Sequence, residues 1–377
     1  MSVRHLPPVF MLLLSVSVAM GAEPTPEQTL LSAASAGNEA RLRLLIDAGV
    51  DVNTVTDGWT ALTRAAFSNR VDSVRLLLEA GADVTIGDSP PLEAAARSNN
   101  PEIVRMLIEH GATHTLCSAA GTGDVEALRE FLAAGADVNA PGPVEGYAPL
   151  HLAAKNGHAE AIRLLIEAGA TVDLRAKLGV TPLHEAVVRR KLHAAVALLE
   201  AGADIEAPVH GGWHFGTGST CNRYRPLHVA ASFGHPEMVR MLLDRGADPN
   251  GRAVIEGTRE GPSGVGPPFE LLEPPGLTPL HVAAYNAFLR YQWRKLGLTW
   301  EGMPEMLIAA GADVNARDGM GNTPLHWAAQ GHLPRVKVLL DAGADPSIEN
   351  EMGQTPVDVA QRHGREEIAT ALMGGGG

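Results

Sequence analysis

Apolar and small residues recur along this chain in a pattern that predicts pairs of short helices. In the stretch 146–173, Pro149 suits the first position of a helix because that position needs no N–H donor, and Gly157 suits its end. A second helix follows, with Ile162 and Leu165 three residues apart on one face. Two helices of about ten residues cannot bury this apolar surface alone. We therefore expect each pair to pack between a preceding and a following pair.

The same helix pair is written many times in the sequence. A glycine ends the second helix of each pair, and successive glycines of this kind are 32, 30, 24, 34, 33, 44, 65 and 32 residues apart. These glycines are Gly49, Gly81, Gly111, Gly135, Gly169, Gly202, Gly246, Gly311 and Gly343. The step of 24 predicts a compressed fourth unit. The steps of 44 and 65 predict insertions.

A Thr-Pro-Leu-His motif, or a near match to it, opens the first helix of many units. It stands at 148–151, 181–184, 225–228, 278–281 and 323–326, with weaker copies at 60–63 and 355–358. With this motif and a period near 33 residues, the chain resembles the ankyrin-repeat family over nearly its whole length. The resemblance implies an all-α solenoid of about ten helix-turn-helix units, joined by β-hairpin or loop connections, over residues 23–372. We expect residues 373–377 to form a glycine tail.

The amino terminus differs from the repeats. Arg4 and His5 precede a 12-residue apolar run at 9–20, and small residues follow it. This order is typical of a secretory signal peptide, which we place at residues 1–22 with cleavage after Gly21 or Ala22. The run is well short of the roughly 20 residues that span a bilayer. We expect an exported protein, periplasmic or secreted, with no membrane span after the signal is removed.

The net charge and the number of cysteines limit which classes of partner and which covalent links the chain can have. The formal net charge of −13 argues against nucleic acid as a partner, because phosphate contact needs a basic surface. Only two cysteines occur, too few for a disulfide scaffold. Cys117 and Cys221 lie in units three apart, on the order of 30 Å at about 10 Å per layer. We predict two unpaired thiols, with Cys117 buried in its helix.

Three insertions interrupt the regular units, at 207–223, 251–275 and 286–302. Insertions in a solenoid tend to lie on one face, and that face is often the binding face. The chain has five Trp, four Tyr and seven Phe residues. Ten of these aromatic residues lie between positions 207 and 300. They are Trp213, Phe215, Tyr224, Phe233, Phe269, Tyr285, Phe288, Tyr291, Trp293 and Trp300.

These aromatic residues are not needed to build the helix pairs, which use Leu, Ala and Val. Aromatic and Arg side chains on a surface are typical of binding hot spots. We therefore predict that Trp213, Phe215, Tyr291, Trp293 and Arg294 contact a protein partner, and we expect the chain to be a monomer. The alternative is that the aromatic rings pack the extra loops against the array.

Sequence motifs for catalysis or cofactor binding are weak. The histidines that end the motif recur in unit after unit, as His151, His184, His228, His281 and His326. A catalytic side chain would not be placed five times, and by resemblance to the family these residues are structural. His184-Glu185 begins like a zinc-protease helix, but Val188 stands where the second ligand is required. We predict no catalytic residue, no resident metal and no cofactor.

The sequence therefore predicts a non-enzymatic, exported scaffold that binds a protein partner through units six to eight and their insertions. One alternative is a metal-binding or enzymatic site in the insertion 207–223. His210, His214 and Cys221 supply imidazole and thiolate donors that suit zinc or copper, although no fourth ligand is evident. Another is that the protein is secreted to act on a protein of a foreign cell.

Overall fold

The structure is a computed structural model that describes residues 24–87, 90–142, 146–176, 179–209, 213–214, 220–221, 224–253, 276–285 and 302–374. The predicted signal peptide lies outside these residues. The chain divides into two compact units, Met1–Ala136 and Asp137–Gly377. Both are built from short helices. The two strands in the described ranges have two residues each, β1 (Trp213–His214) and β2 (Thr220–Cys221).

The first compact unit holds four helix pairs among its described residues, and we call each pair a repeat. The first helices of successive repeats pack on one another, and the second helices of the first three repeats do the same. The helices are α1 (Pro26–Ala36), α2 (Glu39–Asp47), α3 (Ala61–Phe67), α4 (Val71–Glu79), α5 (Pro91–Ser98), α6 (Pro101–Glu109), α7 (Leu116–Thr122) and α8 (Val125–Ala133).

The second compact unit holds six further helix pairs in its described part. Its first helices also pack in chain order, from α9 to α19. The helices are α9 (Pro149–Asn156), α10 (Ala159–Glu167), α11 (Pro182–Val188), α12 (Leu192–Glu200), α13 (Pro226–Ser232), α14 (Pro236–Asp244), α15 (Pro279–Tyr285), α16 (Met303–Ala309), α17 (Pro324–Ala329), α18 (Leu333–Asp341), α19 (Pro356–Arg362) and α20 (Glu366–Gly374). The all-α repeat architecture is confirmed. The last helix runs to Gly374, two residues into the segment predicted as a tail.

Small residues let the first helices approach each other closely. Ala153 and Ala154 of α9 are fully buried, and their small side chains give this helix a flat surface. In the first compact unit a Cβ atom on Gly121 of α7 would lie only 3.0 Å from the Cβ of Ala96 in α5. The longer apolar side chains, such as Ile162 and Leu165 of α10, fill the space between the two helix layers and are also fully buried.

Polar side chains join the turns of successive repeats. Asn53 accepts a hydrogen bond from the Asp83 N–H at 2.7 Å, and Asn315 accepts one from Asp345 at 2.8 Å. In six turns the aspartate two residues after the stopping glycine accepts the N–H two residues further on. These aspartates are Asp83, Asp137, Asp204, Asp248, Asp313 and Asp345.

Basic side chains form a second set of links between repeats. Each reaches back to a carbonyl at the carboxyl end of the preceding repeat's first helix, where helix carbonyls have no partner in the helix and the helix dipole favours positive charge. Arg70 donates to Ser35, Arg335 to Ala284 and Arg365 to Gln330, at 3.0–3.2 Å. His235 contacts the Val188 carbonyl in the same way at 3.1 Å.

The fourth repeat is compressed as predicted. In a regular connection, residues 168–181 separate α10 from α11, whereas residues 110–115 alone separate α6 from α7. The shortened connection has no room for the usual turn. Thr115 caps α7 directly, with its N–H donating to the Ser118 Oγ at 2.8 Å. No helix in the described ranges combines the length and apolarity that crossing a bilayer requires.

Candidate functional site

The connections between repeats in the second compact unit project as fingers, each closed at its base by one backbone hydrogen bond. A finger here is the connection from the second helix of one repeat to the first helix of the next. In the regular fingers this bond joins residues four apart in sequence. Ala176 donates to Val180, Asp318 to Asn322 and Asn350 to Gln354, each at 2.9 Å.

Two fingers keep this closing bond although they are much longer. Val209 donates to the Tyr224 carbonyl at 3.0 Å, and Ala253 donates to the Leu277 carbonyl at 2.8 Å. We call them the first and second long fingers. Val209 is fully buried and Ala253 is 3% exposed, so both bases belong to the packed array. Each insertion, predicted at 207–223 and 251–275, therefore starts two residues before a closing bond and ends inside it.

Neighbouring fingers are joined side by side. Arg175 donates to the Pro208 carbonyl at 2.7 Å, and Arg252 donates to the Arg317 carbonyl at 2.9 Å. Between the two long fingers, Glu206 accepts the Asp248 N–H at 2.8 Å and pairs with Arg225 at 2.6 Å. The two long fingers therefore leave the array from adjacent positions on one edge.

The predicted contact residues fall mostly outside the described part of the chain. This applies to Phe215, Tyr291, Trp293 and Arg294, and to the side chain of Trp213. The Trp213 backbone is described, because β1 pairs with β2 in an antiparallel register that sets Trp213 opposite Cys221 and His214 opposite Thr220. The five residues remain predicted contacts.

The third insertion, 286–302, also lies outside the described residues except for its last residue. At its base, the Tyr285 ring meets the Trp327 ring edge-on, with ring centroids 4.4 Å apart. The Trp327 indole N–H donates to Asp318 at 2.9 Å. Both rings are partly exposed. Sequence reasoning missed Trp327, although its position directly after the motif histidine is filled in other repeats by smaller residues such as Val229.

The motif histidines hold the bases of the fingers. The Nε2 atoms of His151, His228, His281 and His326 lie 2.9–3.1 Å from the carbonyls of Val180, Leu277, Asn322 and Gln354. Those carbonyls are the ones that accept the closing bonds of the fingers. Each ring thus ties its own repeat to the base of the following finger. The predicted structural role of these histidines is confirmed.

Hydrogen bonding fixes the protonation of these rings. In three of the repeats the backbone N–H of the motif threonine donates to Nδ1 of the histidine, at 3.3 Å for Thr181, 3.1 Å for Thr278 and 3.0 Å for Thr323. Nδ1 of these three rings must therefore carry a lone pair, and in His281 and His326 the Nε2 atom carries the proton that the finger carbonyl accepts. The neutral ring satisfies both partners, and a protonated ring would lose the threonine bond.

Burial keeps these rings neutral. It lowers the pKa of His151, His228 and His281 to about 4 and that of His184 to about 3, because the charged form loses its hydration. The first compact unit has no histidine at this position. Gln28, Thr63, Glu93 and Ser118 stand there instead. Burial raises the pKa of the Glu93 carboxyl, which is the opposite direction.

A serine, a histidine and an aspartate lie close together in the fourth repeat, as in hydrolases. Nδ1 of His114 is 3.2 Å from Oγ of Ser118, and its Nε2 is 3.6 Å from Asp124. Ser118 is fully buried, and its hydroxyl donates to the Thr115 carbonyl at 3.1 Å while accepting the Thr115 N–H. This hydroxyl caps α7 and has no access to a substrate, so the group is structural.

Cys117 is a buried thiol, as predicted. Its side chain lies in α7, and burial raises its pKa to about 12, with a further contribution from Glu93. A thiol with such a pKa is unreactive at neutral pH. The side chain of Cys221 lies outside the described residues, so the predicted absence of a disulfide remains a prediction.

The metal-binding alternative is also left as a prediction. His210 and the side chains of His214 and Cys221 are outside the described residues. In the β1–β2 register His214 and Cys221 are not paired with each other. Elsewhere in the described ranges, no cluster of three or more His, Cys, Asp or Glu side chains is arranged to hold a metal ion.

Comparison with known proteins identifies the repeats. The family described as "Ankyrin repeats (3 copies)" matches residues 4–88, 115–208 and 300–376, and the family "Ankyrin repeat" matches 90–118, 222–253 and 275–319. The chain belongs to the ankyrin-repeat family. Ankyrin repeats build scaffolds for protein–protein interaction, and this is the function class that the family gives the chain.

Two curated relatives are longer than the region that this chain matches. "Ankyrin repeat and SOCS box protein 16" of Homo sapiens is 31% identical over 232 residues, which are 58% of this chain and 48% of that protein. "Putative palmitoyltransferase ZDHHC13" of Danio rerio is 28% identical over 250 residues, which are 66% of this chain and 32% of that protein. The chain thus spans less than half the length of these relatives.

Solved ankyrin domains support the same fold. The ankyrin repeat domain of human ASB11 superposes with a TM-score of 0.51 and 25% identity, covering 70% of this chain and 99% of that domain. The ankyrin repeat domain of Bcl-3 gives a TM-score of 0.50 and 28% identity, again over 70% of this chain and 99% of that domain.

The location of the buried histidines predicts that mild acid weakens the second compact unit more than the first. An unfolded histidine takes up a proton near pH 6.5, whereas these rings do so near pH 4 or below when folded. Their contribution is complete above about pH 6.5 and is lost as the pH falls towards 4. At pH 5 it is reduced by on the order of 2 kcal/mol per ring.

Hydrogen exchange at pH 7 and pH 5, corrected for intrinsic rates, measures this effect on the full chain. We expect peptides from 147–374 to lose protection by at least about tenfold more than peptides from 24–136. An equal loss in both compact units would contradict the assignment of the acid response to the motif histidines.

Proposed function

We propose that this ankyrin chain is an exported scaffold that captures a protein partner on the finger edge of its second compact unit. The observation that supports this most is that two successive fingers are lengthened while their closing bonds are kept. Val209 with Tyr224, and Ala253 with Leu277, hold the same base geometry as the regular finger of Ala176 and Val180. Extra chain was thus added at the tips without disturbing the array.

Ordered bases favour binding by the tips. A loop whose two ends are fixed loses less conformational entropy when it docks than a loop with free ends. Both bases are held by their closing bonds, and the base of the second long finger is also held by the ring of the preceding repeat, since His228 Nε2 lies 2.9 Å from the Leu277 carbonyl. Part of the conformational entropy of the loops is therefore already lost when the scaffold folds, before a partner binds.

The composition of the insertions supports a protein partner. Trp213 and Phe215 lie in the first long finger, and Tyr291, Trp293 and Arg294 lie in the third insertion. Residues of these types supply most of the binding energy in many interfaces. Tyr285 and Trp327, which meet edge-on at the base of the third insertion, extend the proposed aromatic surface onto the first helices of two repeats.

Replacing the long fingers by regular ones tests the proposal. Residues 210–223 are exchanged for Lys-Leu-Gly, the tripeptide at 177–179, and residues 254–275 for Lys-Leu, so that both closing bonds and Gly276 remain. Affinity capture from an extract of the exporting cell compares this chain with the parent. We expect the exchanged chain to retain at least about tenfold less partner, as for loss of interface hot spots.

Thermal unfolding controls for damage to the array, and a third chain with only 88–89 altered controls for loop editing in general. If the parent and the exchanged chain, both folded, capture the same protein equally, the long fingers are not the binding surface.

Export is proposed from the amino-terminal composition alone. The basic start, the short apolar run and the small residues at 21–22 support removal of a signal peptide. We expect a mature chain that begins at Ala22 or Glu23 in the periplasm or the medium. Amino-terminal sequencing of the protein from fractionated cells measures this, and an intact Met1 in the cytoplasmic fraction would contradict it.

A further inference from the structure

Arginines occupy the same position in three fingers of the second compact unit. The position is the sixth residue after the stopping glycine, and it holds Arg175, Arg252 and Arg317. Pro208 stands there in the first long finger. In the last finger Glu349 stands there and ends the row. Each arginine donates to the carbonyl of the residue at the same position in the next finger, at 2.7–2.9 Å.

The side chains of Arg252 and Arg317 are held in place on their own fingers. Nη2 of Arg317 lies 2.8 Å from the point where a Cβ atom of Gly321 would be, so only glycine admits the guanidinium there. Nη1 of Arg252 lies 3.5 Å from the corresponding point on Gly276. Both residues remain exposed. Each guanidinium is thus ordered before any ligand binds, and its bond to the next finger uses one of the five N–H groups of an arginine.

Neither guanidinium is neutralised within the described part of the chain. Arg225 pairs with Glu206, but no such ion pair is formed by Arg252 or Arg317. Asp318, next to Arg317 in sequence, is 5% exposed, and its carboxylate accepts from Trp327 and Asn322. Asp248, four residues before Arg252, accepts the Asn250 N–H at 2.9 Å. Two ordered, unneutralised cations on adjacent fingers stand out on a chain whose net charge is −13.

We propose that Arg252 and Arg317 receive the carboxylates of an acidic segment of a protein partner, which rests on the capture function proposed above. Ordered guanidinium groups bind carboxylates through paired N–H donors. Successive layers are about 10 Å apart, close to one turn of a polyproline II helix, in which three residues rise about 3.1 Å each and every third side chain lies on the same face. The fitting ligand is a segment in this conformation with acidic side chains at every third position.

Fluorescence anisotropy with defined peptides tests this on the full chain at low ionic strength, where exposed charge pairs are least screened. The probes are (Glu-Gly-Ser)4 and its matched (Gln-Gly-Ser)4. We expect the acidic peptide to bind more tightly than the glutamine peptide, and the double variant Arg252→Gln/Arg317→Gln to weaken acidic-peptide binding about five- to tenfold. Arg252→Lys/Arg317→Lys, which keeps the charge, should retain part of the binding.

Arg163→Gln is the matched control, because Arg163 is an exposed arginine on α10, away from the fingers. Equal binding by the parent, the double glutamine variant and Arg163→Gln would overturn the inference, and so would no binding of the acidic peptide to the parent. A single-stranded oligonucleotide that binds more tightly than the peptide, and only when both arginines are present, would also overturn it.

The chain with exchanged fingers separates this inference from the proposed function, since it keeps both arginines. If that chain captures the partner as well as the parent does, while acidic-peptide binding still depends on the arginines, the finger proposal fails and the acidic site stands. If capture depends on the long fingers but peptide binding ignores the arginines, this inference fails alone.

Discussion

In four fingers one backbone carbonyl at the base carries two hydrogen bonds, and the organisation of the second compact unit depends on these carbonyls. Each carbonyl closes its own finger and also accepts the Nε2–H of the buried histidine one repeat earlier, as Asn322 does for Asp318 and His281. The helices are too short to be stable alone. Each repeat therefore owes its order to the neighbour that completes these bonds, together with the apolar surface they enclose.

This arrangement keeps the base of a finger constant while the length of the finger varies. The closing bond and the histidine link fix the finger base, so the chain beyond them can lengthen from three residues to more than twenty without altering the helix stack. The protein uses this freedom in two adjacent fingers, between Val209 and Tyr224 and between Ala253 and Leu277. A rigid base with a variable tip is the arrangement expected of a scaffold whose specificity lies in its connections.

Much of the fold was predictable from the sequence because its signals are local. The motif opens a helix, the glycine ends one, and the step of 24 residues predicted the compressed fourth repeat. Contacts between positions far apart in sequence were not predictable in this way. The links from Arg252 to Arg317 and from Arg335 to Ala284 depend on how successive layers align, which no single repeat encodes. The predicted contacts such as Trp293 lie outside the described residues and remain predictions.

Dependence of each repeat on its neighbour is tested most directly at the last repeat, which has a neighbour on one side only. His326 bonds to the Gln354 carbonyl at 3.0 Å, so His326→Ala removes a buried link between α17 and the pair α19–α20. Hydrogen exchange should become about ten- to hundredfold faster in α19 and α20, in keeping with the loss of one buried hydrogen bond. Protection in α9 to α12 should be unchanged, and the exposed-histidine variant His193→Ala should behave like the parent. Uniform loss of protection through the whole compact unit, or no change in the last repeat, would contradict the account.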